Sequence, residues 1–453
     1  MRKYVQEATD INIWKSIQNN TFDRNKDIKS FIEGLNLIEG SACISLDAKW
    51  GDGKTFFVRQ IEEVLKYARL KQWKDEENPV DQLPSYEYLR NNQMANSISL
   101  SKSYLPIYYN AWAYDNHSDP LMSLLLIMTK ICKGVYNTKI NSEKTSEKIL
   151  GTLSALPGSI EVLQGLNLAS MVEKIKGKST DILSIVQTEE EIRERVKDVF
   201  DNIIVERTQK LIIFIDELDR CKPTFAIEML ERIKHYFEDD RIIFVVSVNK
   251  EQLIHTISNY YGSGFDATRY LNKFFDENIN LPEMSNYSRR TVECYNNNTE
   301  ETFWLTKIAD GLGMHYHLSL RDKLIYRSRI EVVTKQAVNC LRGESFLIAL
   351  FVPCMILLDI VDANEKKKFI EGKSDFVEKT LPQIEIYKQF VLRVIGDGSR
   401  DGQEEKFKIG CEEVVKIYKY IFDFEGDEYY ERFDLDRDTK SKCIAAYNGY
   451  TYY

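Results

Sequence analysis

The stretch Cys43–Val58, reading Cys-Ile-Ser-Leu-Asp-Ala-Lys-Trp-Gly-Asp-Gly-Lys-Thr-Phe-Phe-Val, constrains the fold more than any other part of the chain. An apolar, strand-like run meets a short turn with two glycines, then Lys-Thr, then a helix-like segment over Phe56–Leu70. That is the order of a phosphate-binding loop set between a strand and a helix. Glycine lets backbone N–H groups turn inward around an anion without a Cβ clash. The helix that follows adds the positive end of its dipole. In such a loop Lys54 reaches the β- and γ-phosphates of a nucleotide and the Thr55 hydroxyl binds Mg²⁺, with Trp50, Gly51, Asp52, Gly53 and Phe56 completing the cradle. One position departs from the pattern. Five places before Gly53 the motif has glycine and the chain has Ala48, which resists positive φ. Taken alone, the stretch also fits a glycine turn with an incidental lysine.

The 453 residues suffice for two or three domains, and 43% hydrophobic with 29% charged residues indicates a globular chain. The net charge of -9 gives no support to broad nucleic-acid binding. The eight cysteines are scattered without a Cys-x-x-Cys pair, which fits free thiols in a reducing compartment. His315 and His317, two apart, do not have metal-ligand spacing. Residues 1–14 are polar and charged, unlike a signal peptide. An apolar run of about 18 residues, the length a membrane helix needs, is absent. The nearest runs, Ile149–Ile160 and Phe346–Leu358, contain Pro157 and Pro353, which are expected to break them. These features point to a cytoplasmic protein without a transmembrane segment.

Hydrophobic periodicity supplies the order of elements. A helix is expected over Asp27–Leu37 and strands at Ala42–Asp47 and Leu105–Tyr109. A helix follows at Leu121–Cys132, then a Gly/Ser/Leu/Lys-rich helical insertion over 133–180 and a charged amphipathic helix at Glu189–Arg207. The continuous apolar runs Leu211–Ile215 and Arg241–Val248 read as strands buried on both faces. A helix between them covers Ala226–Phe237; Gln252–Tyr260 and Thr268–Phe275 are helical, and a short strand ends at Leu281. Alternating strands and helices from 42 to 282 predict a mostly parallel sheet covered on both faces. Beyond Pro282 the chain reads as helices, with a turn at Asp397–Gln403 and an acidic, aromatic tail over Phe422–Asp438. The expected organisation is an N-terminal extension over 1–21, an α/β core over 22–284 including the insertion at about 133–190, and a helical lid and C-terminal region over 285–453.

A second acidic motif, Asp216-Glu217, ends the apolar strand at 211–215, and the carboxyl ends of parallel strands are where ligands bind. Asp216 is placed to hold Mg²⁺ beside Thr55, and Glu217 to polarise an attacking water. The separation from Lys54 leaves room for an additional strand, and 105–109 fits between the loop strand and the acidic strand. This is the arrangement of P-loop ATPases with an additional strand and a catalytic glutamate. Asn249 ends the next strand, where it either senses the γ-phosphate or caps the following helix. Positive charge for the transition state has candidates in Arg220, Arg269, Lys273 and Arg321. Arg220 or Arg269 is suited to a finger acting on a neighbouring subunit; the alternative is a structural salt bridge, for Arg220 with Asp219 or Glu231. Trp50 and Trp112 read as packing residues, too few for a base-stacking platform.

At this point the chain resembles the KAP family of P-loop NTPases. Trp50-Gly51-Asp52-Gly53-Lys54-Thr55-Phe56 looks like the family's tryptophan-containing loop, and Ile215-Asp216-Glu217-Leu218-Asp219-Arg220-Cys221 like its acidic motif. Tyr109-Asn110-Ala111-Trp112 resembles its Asn-x-Trp segment, and Tyr270-Leu271-Asn272-Lys273-Phe274-Phe275 with Leu281-Pro282 its Tyr-Leu-x-Lys block. Leu318-Ser319-Leu320-Arg321-Asp322 resembles its Pro-Arg lid segment without the proline. The resemblance spans about residues 22–335. It departs at Ala48, where the family has Gly, and at Glu217, where the family usually has Asp; the second change favours catalysis. Many family members carry membrane helices between the two motifs, where this chain has the 133–180 insertion. The resemblance implies a soluble, bacterial-type ATPase using ATP and Mg²⁺, acting in defence against phage or plasmids, as a homo-oligomer or with an operon-encoded protein partner. A slowly hydrolysing, nucleotide-gated switch or scaffold that recruits an effector is the alternative. A DNA translocase fits the acidic balance least.

Overall fold

A computed structural model describes residues 7–21, 23–73, 80–135, 189–203, 208–236, 239–281, 300–337, 342–395, 402–423, 435 and 438–448. The chain divides into two compact units, Glu7–Glu283 and the residues from Met284 onward.

The first unit is built on five parallel strands: β1 Ala42–Asp47, β2 Tyr104–Asn110, β3 Lys210–Asp216, β4 Ile242–Val248 and β5 Glu277–Asn280. Their spatial order is β2-β3-β4-β1-β5. Both β3 and β4 are buried along their whole length. Burying one Ile, Val or Phe contributes about 1.5–3 kcal/mol, so these apolar runs make the centre of the sheet its most firmly held part.

One expectation from the sequence is corrected here. The strand at 104–110 does not lie between the loop strand and the acidic strand; it is the sheet's far edge, and β4 takes the intervening place. The reason is written in β2 itself. Pro106 has no N–H to donate to a second neighbour, and proline is confined to edge strands. The uninterrupted run of β4 has no such defect.

Among the described residues the sheet is accompanied by helices α1 Asp10–Gln18, α2 Asn25–Leu35, α3 Lys54–Trp73, α4 Pro120–Val135, α5 Glu189–Ile203, α6 Pro223–Tyr236, α7 Lys250–Tyr261 and α8 Ala267–Leu271, with short helical pieces at Tyr86–Leu89 and Gln93–Ser97. Successive strand residues point to opposite faces, which separates two layers. Ile107, Ile213, Phe244 and Val246 pack in one cluster with Leu124 of α4, Val199 of α5 and Leu230 of α6. The alternate residues Ile212, Phe214, Ile243 and Val245 are buried on the other face, where α3 lies against β2, β3 and β4 and carries α1 and α2 behind it.

The second unit is helical in its described residues, and its core surrounds the helix Arg342–Val361. Every residue from Leu347 to Leu358 is buried. A helix apolar all round is thus explained as a core element. The expected break at Pro353 does not occur: the helix runs through it, and the Pro353 carbonyl accepts a hydrogen bond from Tyr326 Oη at 3.1 Å. Among the described residues no helix is long and apolar enough to cross a membrane. The expectations for 136–180, 397–401 and 424–434 fall outside the described residues.

Candidate active site

The parallel register brings four strand ends together. Asn110 pairs with Asp216, Asp216 with Ser247, and Asp47 with Val248. The loop Ala48–Gly53 leaves β1 at this edge, and α3 starts at Lys54. The loop turns at Gly51, φ 93°, and Gly53, φ 84°, values that strain any L side chain. Ala48 lies outside the left-handed region, and its N–H donates to the Val248 carbonyl at 3.2 Å. The departure from the glycine pattern therefore costs the loop nothing. We expect Ala48→Gly to bind a nucleotide analogue within about twofold of wild type, while Gly53→Ala, strained by about 1–2 kcal/mol, binds about tenfold more weakly. Calorimetric titration distinguishes the two; weak binding by Ala48→Gly would mean the alanine shapes the turn.

Lys54 is buried, and its Nζ donates to the carbonyls of Ala48 at 2.6 Å and Lys49 at 3.2 Å. Burial lowers its pKa, while the surrounding negative charge of Asp219, Asp216, Asp52 and Asp47 acts in the opposite sense. Thr55 is partly exposed on the first turn of α3, and Phe56 is buried behind it. Trp50 is not the packing residue expected from the sequence. It is 46% exposed, and its Nε1 donates to the buried carboxylate of Asp219, tying the loop to the acidic motif.

Asp216 is 1% exposed at the end of β3. Its Oδ2 accepts from Tyr108 Oη at 3.1 Å, and its Oδ1 from the Glu217 N–H at 3.0 Å. Burial, reinforced by the Asp216 charge, pushes the Tyr108 phenol up, so it stays a donor. Glu217 sits at φ 61°, ψ 26°, a left-handed conformation that a non-glycine residue adopts at a cost, typically where function demands it. Its Oε2 accepts from Asn110 Nδ2 at 3.2 Å, and its Oε1 pairs with Arg220 Nη1 at 2.7 Å. Burial raises the Glu217 pKa; Arg220 opposes the shift and Asp216 adds to it.

Arg220 thus forms a salt bridge, but with Glu217 and not with Asp219 or Glu231. Glu231 accepts from Tyr270 Oη instead. The Arg220 guanidinium also lies 5.4 Å from the centre of the Trp112 ring, which is 51% exposed and so not a packing residue either. Removing Arg220 should raise the Glu217 pKa further, since an opposite charge is lost. Arg220→Ala is therefore expected to move the acid limb of a pH–rate profile upward by up to about one pH unit. An unmoved limb would show that another group titrates there.

Asn249 caps α7: its Oδ1 accepts from the Gln252 N–H at 3.3 Å. Arg269 and Lys273 are exposed at and after α8. Arg321 is exposed in the second unit at the start of the helix Leu320–Ala337, where Ser319 Oγ accepts the Asp322 N–H at 3.2 Å. Three residues of the site carried little signal in the sequence. Asn110 stands out in the sequence only through the resemblance of its segment, and Asp219 only as part of the acidic motif and as a possible ion-pair partner of Arg220. Tyr108 reads as one more strand aromatic.

The donors suit Mg²⁺, which prefers hard oxygen ligands and keeps several waters. Thr55 offers a hydroxyl and Asp216 a carboxylate. Beside Asp216 the hydroxyl of Ser247 is fully buried, without a hydrogen-bond partner among the described residues. Bound there, the ion would supply charge neutralisation on the phosphates.

A search of curated proteins returns no match to the chain. The sheet order, the glycine loop at the carboxyl end of β1 and the acidic pair two strands away agree with the match of residues 24–321 to the KAP family P-loop domain, and the chain belongs to that family of P-loop NTPases.

Proposed function

We propose that the chain binds ATP with Mg²⁺ and hydrolyses its terminal phosphoanhydride bond. The observation that carries this reading is a buried Lys54 within electrostatic reach of Asp216, the residue before Glu217, at strand ends separated only by β4. Lys54 exchanges its two loop carbonyls for phosphate oxygens. Thr55 and Asp216 would hold the metal, which would neutralise charge on the phosphates. The water oxygen attacks the γ-phosphorus, its proton passes to the Glu217 carboxylate, and ADP leaves. A carboxylate with a raised pKa is a stronger base than an ordinary one.

A second reading has its own support. Both carboxylate oxygens of Glu217 are engaged, one by Arg220 and one by Asn110. A base held this way suits a nucleotide-gated switch that hydrolyses slowly until a partner rearranges it. Phosphate release by the purified full chain, with Mg²⁺ and with EDTA, tests both. Metal-dependent turnover at or above about 1 s⁻¹ supports the ATPase reading, and tight ATP binding with turnover far below that supports the switch. Absence of nucleotide binding overturns both.

A further inference from the structure

Ser247 and Asp216 are lateral partners in a parallel sheet, so their side chains stand on the same face. Ser247 Oγ is fully buried and has no hydrogen-bond partner among the described residues. An orphaned buried hydroxyl is costly, and the place of this one, beside the Asp216 carboxylate at the strand ends, calls for a polar occupant to complete it. On the other flank, two residues before Asn110 and on the same face, Tyr108 reaches Asp216 Oδ2 at 3.1 Å. The second oxygen is fixed by the Glu217 N–H at 3.0 Å, so the carboxylate plane is set from two directions. The Tyr108 ring is held in turn. Arg59 places its guanidinium 4.7 Å from the ring centre and is itself tied to Asp10 at 2.6 Å and Glu62 at 2.8 Å. Arg59 lies on α3, the helix that begins at Lys54.

We propose that Tyr108 and Ser247 are positioning residues of a seat for a hydrated divalent cation: Tyr108 orients Asp216, and the Ser247 hydroxyl takes a hydrogen bond with a water of the cation's shell. The inference rests on the Mg²⁺-nucleotide reading above and adds two residues to it. Outer partners of metal ligands commonly tune affinity by about 10–100-fold.

The test uses the full chain with Tyr108→Phe and Ser247→Ala, each keeping the shape of its side chain. Three quantities are measured: Mn²⁺ affinity by electron paramagnetic resonance in the presence of ADP, ADP affinity in EDTA by calorimetry, and the thermal midpoint without metal or nucleotide. Each variant is expected to bind Mn²⁺ about tenfold more weakly, with ADP affinity in EDTA within about twofold of wild type. The Ser247→Ala midpoint stays level or rises, because an unsatisfied buried hydroxyl is removed. A merely structural serine would lower the midpoint and leave Mn²⁺ alone. Unchanged Mn²⁺ affinity in either variant removes that residue from the seat, and unchanged affinity in both overturns the inference while the wild type still binds Mn²⁺ and ADP. A wild type that binds ADP but no Mn²⁺, or neither, overturns the parent reading as well, which tells the two failures apart.

Discussion

Glu217→Gln is expected to lower ATP turnover by about 10²–10⁴-fold, the usual contribution of a general base, while leaving nucleotide binding nearly intact. The substitution keeps the shape of the side chain and an oxygen that accepts from Asn110 or pairs with Arg220. What it removes is the ability to take a proton. The same assignment has a pH signature. Burial raises the Glu217 pKa above the ordinary 4.5. The basic form is present above that raised value and is lost as pH falls through it, so the acid limb of the rate profile lies above the range of an ordinary carboxylate. Unchanged hydrolysis by Glu217→Gln would sink the base assignment and return attention to Asp219 and Asn249.

Lys54→Ala should weaken nucleotide affinity by about 10²-fold or more, following the 2–5 kcal/mol typical for removing one partner of a buried charge contact. The lysine is buried among Asp219, Asp216, Asp52 and Asp47, and two backbone carbonyls hold its ammonium where a direct carboxylate bridge would lock it. Neutral carbonyls are exchanged for phosphate oxygens at little cost. Without the ammonium, the phosphates of a nucleotide face that acidic group unscreened. Lys54→Arg should not restore affinity, because the planar guanidinium is larger and needs a fork of acceptors. Titration calorimetry with ADP measures both variants, and wild-type affinity in Lys54→Ala would remove the loop from phosphate binding.

The strands were legible because buried parallel strands are continuous apolar runs, and β1, β3 and β4 fall within a residue or two of where hydrophobicity placed them. Their spatial order was harder to read. Chain order put 105–109 between the two motifs, and the one contrary signal was Pro106, a single missing donor. The loop was legible from its residue types, while the meaning of Ala48 was not, since φ is set by the surrounding turn. At the acidic motif, Arg220 has three carboxylates within four residues, Asp216, Glu217 and Asp219, and no spacing rule selects Glu217 among them. That choice follows from the left-handed turn at Glu217, which swings its side chain toward Asn110 and Arg220. Trp50 and Trp112 illustrate the same limit: apolar size argued for packing, yet one serves as an N–H donor to Asp219 and the other as a face under Arg220.

What the sequence by itself determined is a glycine loop between strand and helix, an acidic pair at the end of a buried strand, and the alternation that makes a parallel α/β unit followed by helices. These are local facts, set by residue type and periodicity over a dozen residues. Tertiary structure alone decided which strand separates the two motifs and that Glu217 is held by Asn110 and Arg220. It also decided that Asp216 is flanked by the phenol of Tyr108 and the orphaned hydroxyl of Ser247. Those relations depend on lateral register between strands remote in the chain, and register is fixed by pairing and packing across the whole sheet.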